Sequence, residues 1–149
     1  MSAIRIRGID HVVVRVADLE LSLRFYCGVL GCREERRLED LGLVQLRAGL
    51  GLIDLVPLDS PLGRAGGPPP GAPEAGGRNV DHFALQLESF DPVALRSHLE
   101  AAGVAPGDVA QRYGAEGMGP SMYLQDPDGN TVELKGPPDP PPTGDRIPD

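Results

Sequence analysis

The strand-like phrase Gly8-Ile9-Asp10-His11-Val12-Val13-Val14-Arg15-Val16 recurs in near-copy as Asn79-Val80-Asp81-His82-Phe83-Ala84-Leu85-Gln86-Leu87. An internal repeat constrains a fold more than any single motif, because each copy must build the same supersecondary unit. Strand alternation puts Val12, Val14 and Val16 on one face and Ile9, His11, Val13 and Arg15 on the other. In the second copy Phe83, Leu85 and Leu87 share a face, and Val80, His82, Ala84 and Gln86 share the opposite one. Each strand therefore has an apolar face and a mixed face that carries the histidine.

The segments after the two copies repeat as well. Asp18 caps a predicted helix over Leu19–Leu30, with Leu19, Leu23, Tyr26 and Leu30 at helical spacing and Gly31 as its stop. Asp91 caps a predicted helix over Pro92–Ala102, with Leu95, Leu99 and Ala102 on one stripe and Gly103 as its stop. Three short strands come next in each block, over about 32–38, 42–48 and 51–57, then about 108–113, 120–126 and 130–135. The run Asp126-Pro127-Asp128-Gly129-Asn130 reads as the tight turn between the last two. Its glycine and the next glutamate are wrongly spaced for a calcium loop. The segment 114–119 reads as a flexible connector that can serve as a lid.

Two Pro/Gly-rich stretches bound these blocks. Residues 57–79 hold six prolines and six glycines, a composition that predicts a linker without regular structure. Residues 136–149 hold six more prolines and read as a tail. The expected organisation is one domain over 1–149, with module one at about 4–57, a linker at 58–78, module two at about 79–135 and the tail beyond. Blocks of about 55 residues bury too little surface to be stable alone, so the two are expected to share a core.

The fold class that results is α+β, with two βαβββ modules in tandem. The closing strands then supply acids. In Leu52-Ile53-Asp54-Leu55-Val56-Pro57, Ile53 and Leu55 face the core and Asp54 faces away. In Thr131-Val132-Glu133-Leu134-Lys135, Val132 and Leu134 face the core and Glu133 faces away. Each module thus offers one histidine from its first strand and one carboxylate from its last, on the face away from the helix. Imidazole plus carboxylate is a donor set for Zn, Ni, Fe, Mn or Co. One divalent metal ion held by His11, Asp54, His82 and Glu133 is the cofactor this pattern predicts.

Composition narrows the partners. A net charge of −8 repels phosphate backbones and anionic lipid, which argues against nucleic acid and membrane surfaces. No apolar run reaches the ~20 residues of a transmembrane helix, and Met1–Asp10 lacks the apolar core of a signal peptide. Cys27 and Cys32 form neither a CxxC motif nor a disulfide framework, so a reducing cytoplasm is expected.

The phrases "DHVVVRVADLELSLRFYCGVLG", "NVDHFALQLE" and "YLQDPDGNTVEL" resemble the vicinal oxygen chelate superfamily, which includes glyoxalase I, extradiol dioxygenases, methylmalonyl-CoA epimerase, fosfomycin-modifying enzymes and bleomycin-binding proteins. The resemblance covers nearly the whole chain apart from the linker and tail. It implies strongly curved four-stranded sheets of order 1-4-3-2, a cleft with the metal at its base, a small-molecule substrate and a homodimer. By the same resemblance His11, His82 and Glu133 fall on ligand positions. Asp54 falls where glyoxalase I has a glutamate and the epimerase a glutamine, one methylene longer than aspartate. Without Asp54 the set is a 2-His-1-carboxylate triad, suited to Fe(II) and oxygen chemistry. With it, the set looks like that of a glyoxalase.

The resemblance implies three alternatives: a glyoxalase-like lyase or isomerase, an Fe(II) extradiol-type dioxygenase of a small catechol, and a non-catalytic binding or resistance protein. In the first, Glu133, the longer acid, is the candidate base that moves a proton next to a carbonyl. Arg15, Arg47 and Tyr123 are the candidate substrate contacts, with Gln45, Gln86, Ser121 and Gln125 on the same strand faces.

Overall fold

The computed structural model describes residues 9–68, 80 and 82–138. Asp81, most of the Pro/Gly-rich linker and most of the Pro-rich tail lie outside the described residues. The chain divides into two compact units, Met1–Gly76 and Gly77–Asp149, and the division falls within the predicted linker.

The first unit runs β1 (His11–Val16), α1 (Leu19–Leu23), β2 (Arg33–Leu38), β3 (Leu43–Ala48), β4 (Gly51–Pro57) and α2 (Pro61–Ala65). Its sheet has the order β1-β4-β3-β2. β1 pairs parallel with β4, and the other neighbours are antiparallel. Val16, Tyr26, Leu46 and Leu55 are fully enclosed on the inner side. β2, with the sequence Arg-Glu-Glu-Arg-Arg-Leu, is exposed over most of its length and forms one edge, where charge discourages pairing with another chain.

Two predictions need correction here. The helix expected over Leu19–Leu30 is α-helical only as far as Leu23 and continues as a π-helical segment over Arg24–Val29. Wider turns shift the buried side by one position, so Phe25 and Tyr26 are both buried, with Ser22 on the same side. Leu19, Leu23 and Leu30 are half-buried. Asp18 does cap the helix, accepting from the Leu21 amide at 2.9 Å. The second correction concerns the linker, whose first part is not irregular. Ser60 accepts from the Gly63 amide at 3.0 Å and Pro61 fills the first turn, which together start α2 despite the glycines.

The second unit runs β5 (His82–Gln86), α3 (Pro92–Ala101), β6 (Ala110–Gly114), β7 (Gly117–Gln125) and β8 (Thr131–Lys135). Its sheet has the order β5-β8-β7-β6, the same permutation as the first. Asp91 caps α3 through the Val93 and Ala94 amides. Leu99 is buried as predicted, whereas Ala102 is exposed. The segment 114–119 is not a connecting loop. Gly114 pairs with Gly117, leaving only Ala115 and Glu116 in a tight hairpin turn, and Met118 and Gly119 belong to β7. The turn between β7 and β8 is held by Asp126, whose carboxylate accepts from the Asp128 and Asn130 amides and from the Asn130 side chain.

Candidate functional site

The two sheets place their histidine and carboxylate at equivalent register positions. On β1, His11 stands opposite Leu52 of β4, and Val13 stands opposite Asp54. On β5, His82 stands opposite Thr131 of β8, and Ala84 stands opposite Glu133. In both sheets the acid lies two residues beyond the partner of the histidine, and a period of two keeps both on one face. The parallel pairing of first and last strands brings together residues that lie far apart in sequence.

Within the first unit the carboxylate is the enclosed member. Asp54 is 4% exposed. Gln45, opposite it on β3, donates from Nε2 to Oδ2 at 3.1 Å. Asp54 Oδ1 is buried and has no hydrogen-bond partner among the described residues. A carboxylate oxygen shut off from water without a donor is costly, and a cation is the natural group to satisfy it. His11 lies at the surface. Its Nδ1 donates to Asp10 Oδ1 at 2.7 Å, since an ionised carboxylate can only accept. That bond leaves Nε2 as the lone-pair nitrogen of the neutral ring, the arrangement usual for a metal-ligating histidine. The Asp10 hydrogen bond raises the His11 pKa, partial desolvation opposes it, and the negative charge of Asp54 adds to the rise.

In the second unit the pair is in direct contact. His82 Nε2 stands 3.2 Å from Glu133 Oε2, with the histidine partly exposed and the glutamate buried. Tyr123, opposite Glu133 on β7, sets its ring edge-to-face against His82 at 5.2 Å between centroids. Arg112 of β6 extends that stack, its guanidinium carbon 4.3 Å from the Tyr123 ring centroid. Among the described residues, no three His, Cys, Asp or Glu side chains gather around one point. The second unit brings His82 and Glu133 into contact, and the first sets His11 and Asp54 on one face of its sheet.

The candidate substrate residues fare differently. Tyr123 sits on the same face as His82 and Glu133. Arg15 shares the face of His11, but its guanidinium donates to the carbonyls of Gly63, Gly67 and Pro68 and anchors the segment around α2. Arg47 is held by Glu35 at 2.6 and 2.7 Å, a two-pronged pair, and by the Leu50 carbonyl. Sequence reasoning missed the orienting role of Asp10 and the stacking of Arg112. The adjacency of Asp10 and His11 was a usable signal. Arg112 left none, because Ala110–Gly114 is a short, polar edge strand without clear alternation.

Known proteins carry the same architecture. A virulence protein of Salmonella typhimurium is 29% identical over 131 residues, which is 85% of this chain and 81% of that protein. Its crystal structure superposes with a TM-score of 0.66, covering 89% of this chain and 98% of the other. An integron cassette protein from Vibrio cholerae is 28% identical, with a TM-score of 0.65 over 91% of this chain and 98% of its own. A fosfomycin resistance protein from Listeria monocytogenes, at 20% identity and a TM-score of 0.63, covers 90% of this chain and 96% of its own and shares the fold. The sequence profile of one superfamily matches residues 8–134, from the first Asp-His strand to the last strand of the second module. The chain belongs to the Glyoxalase/Bleomycin resistance protein/Dioxygenase superfamily.

Proposed function

We propose that the protein is a divalent-metal-dependent enzyme, a glyoxalase-like lyase or isomerase acting on a small substrate that offers two adjacent oxygens. The observation that carries this reading is the register match between the two histidine–carboxylate pairs, together with the unpartnered buried oxygen of Asp54. A two-donor half is too few for a stable site, so His11, Asp54, His82 and Glu133 are proposed to serve one ion together, whether from one chain or from two copies. A bound ion of this kind acts as a Lewis acid toward negative charge developing on a substrate oxygen.

The chain's own residues then divide the work. Asp10 fixes the tautomer of His11. Glu133 takes a proton from the carbon beside the substrate carbonyl, and its contact with His82 holds the carboxylate in place. Tyr123 packs against His82 and offers its hydroxyl to the substrate. The Asp54 oxygen, without a partner among the described residues, favours the four-donor set over the triad that an extradiol dioxygenase would use. The reading also includes a cytoplasmic homodimer; among the described residues no helix is long and apolar enough to cross a membrane.

The direct test is turnover of a panel of α-ketoaldehyde–thiol adducts and catechols by protein reconstituted with Zn, Ni, Fe, Mn or Co. Isomerisation of an adduct, lost in Glu133→Gln by a factor of about 100 or more, is the expected result. Ring cleavage of a catechol with iron alone would replace this reading with the oxygenase one.

A further inference from the structure

The face of the second sheet that bears His82 and Glu133 also carries two cations that the proposed metal chemistry does not use. Lys135 lies two residues beyond Glu133 on β8 and is 6% exposed. Its ammonium donates to the Gly136 carbonyl at 3.1 Å. Its stem crosses two glycines: a Cβ on Gly114 would stand 3.0 Å from Lys135 Cε, and one on Gly119 would stand 2.8 Å from Nζ. Arg112, opposite Gly119 on β6, donates from Nη1 to the Ser121 carbonyl at 3.1 Å and to Ser121 Oγ at 2.8 Å. Ser121 is itself buried and stands opposite Lys135. Two positive side chains therefore flank one buried serine.

Among the described residues no carboxylate pairs with either cation. Enclosing an ammonium with a single carbonyl acceptor is unfavourable in desolvation. The fold does not demand it. The equivalent position in the first unit is Val56, which stands opposite Arg15 as Lys135 stands opposite Gln86, and Val56 is 2% exposed. Where one copy of the repeat buries a valine, the other buries a lysine and clears two glycines to make room for it. Among the described residues Arg112 Nε and Nη2 have no hydrogen-bond acceptor, and stacking on Tyr123 fixes the plane of the guanidinium.

We propose that Arg112, Lys135 and Ser121 form a subsite for an oxyanionic group of the substrate, a carboxylate or a phosphoryl group, on the sheet face of His82 and Glu133. The guanidinium fork matches two oxygens of such a group, the ammonium adds charge, and the serine hydroxyl adds a hydrogen bond. Tyr123 links the subsite to His82 through ring contact. The proposal rests on this face being the reacting one, and it names the substrate as an anion.

The test uses the full chain treated with chelator, so that its outcome is independent of metal binding. Acetate and inorganic phosphate are titrated at constant ionic strength, and the backbone amides of Gly119 and Ser121 and the Arg112 Nε–H are followed by ¹H–¹⁵N spectra. Saturable shifts with one probe are expected, acetate marking a carboxylate subsite and phosphate a phosphoryl one. Arg112→Gln and Lys135→Met should each weaken that binding by about tenfold or more. Both should leave divalent-ion binding unchanged. Because Lys135 is enclosed and its variant can fail to fold, Arg112→Lys serves as a second probe, keeping the charge but losing the fork and most of the affinity. Binding of neither probe, or equal binding by wild type and Arg112→Gln, would overturn the proposal and leave the metal reading untouched.

Discussion

Asp10 is 89% exposed on its side chain, yet its carboxylate is committed to His11 Nδ1 at 2.7 Å. An exposed residue of this kind does little for stability, and its effect falls on the histidine it orients. Asp10→Asn is expected to fold normally and to bind a divalent ion about 10- to 100-fold more weakly, as measured by competition with a chromophoric chelator. The cysteines show the opposite pattern. Burial first, and then the neighbouring Cys27, push the Cys32 thiol up to about 11, and burial also raises Cys27. Both thiols are therefore protonated at neutral pH, and alkylation by iodoacetamide near neutral pH should be slower than for a free cysteine under the same conditions. Rapid modification of Cys32 would show that the loop after the π-helical segment opens.

At the scale of the element, register does what no single residue can. Both β1–β4 and β5–β8 are parallel pairs, and both place histidine and acid at the same offset. The first strand was legible because a two-residue period of valines on one side is a direct statement of a half-buried strand, as in Val12–Val16, whereas β4 is buried on both faces from Ile53 to Val56. The caps at Asp18 and Asp91 were legible for the same reason, since a short acid before an apolar stripe has one good use. α2 was not, because composition masked a local signal: Ser60 and Pro61 open a helix inside a glycine-rich stretch. The π-helical segment was not, because one extra residue per turn does not disturb the pattern enough to show.

The packing of α2 supplies a sharp prediction. A Cβ on Gly63 would run into the Pro57 carbonyl oxygen and approach the Leu58 carbonyl at 2.8 Å. Both obstacles are backbone, so they cannot swing aside. Gly63→Ala should lower stability by about 1–3 kcal/mol in urea unfolding, through overpacking at this contact. Arg15, whose bonds to Gly63 and Gly67 hold the same segment, should transmit part of that disturbance to β1. In the other unit, Asp126→Ala removes the acceptor for two amides and one side-chain amide at the β7–β8 turn, and should cost about 1–3 kcal/mol in the same measurement.

For the whole molecule, duplication explains both what is shared and what is not. Two copies of βαβββ give two sheets of the same order, each with an exposed-to-buried gradient from histidine to acid. The copies diverge beside the histidine–acid pairs: Gln45 donates to Asp54 in one, while Tyr123 stacks on His82 in the other. Divergence of that kind keeps the register of the two pairs equivalent and gives them different neighbours. The matched positions of His11 and Asp54, and of His82 and Glu133, were legible because the repeat wrote one histidine and one acid into each copy. The charged group around Arg112 and Lys135 was not, because it exists in one copy only and depends on cross-strand register that sequence does not print.

The two histidine–acid pairs are proposed to hold one metal ion together. That proposal is tested by elemental analysis and metal titration of wild type, His11→Ala and His82→Ala. One divalent ion per chain is expected in the wild type, with loss of tight binding in both variants although each mutation touches only one unit. Wild-type protein that takes up no ion, or variants that each retain full binding, would contradict it.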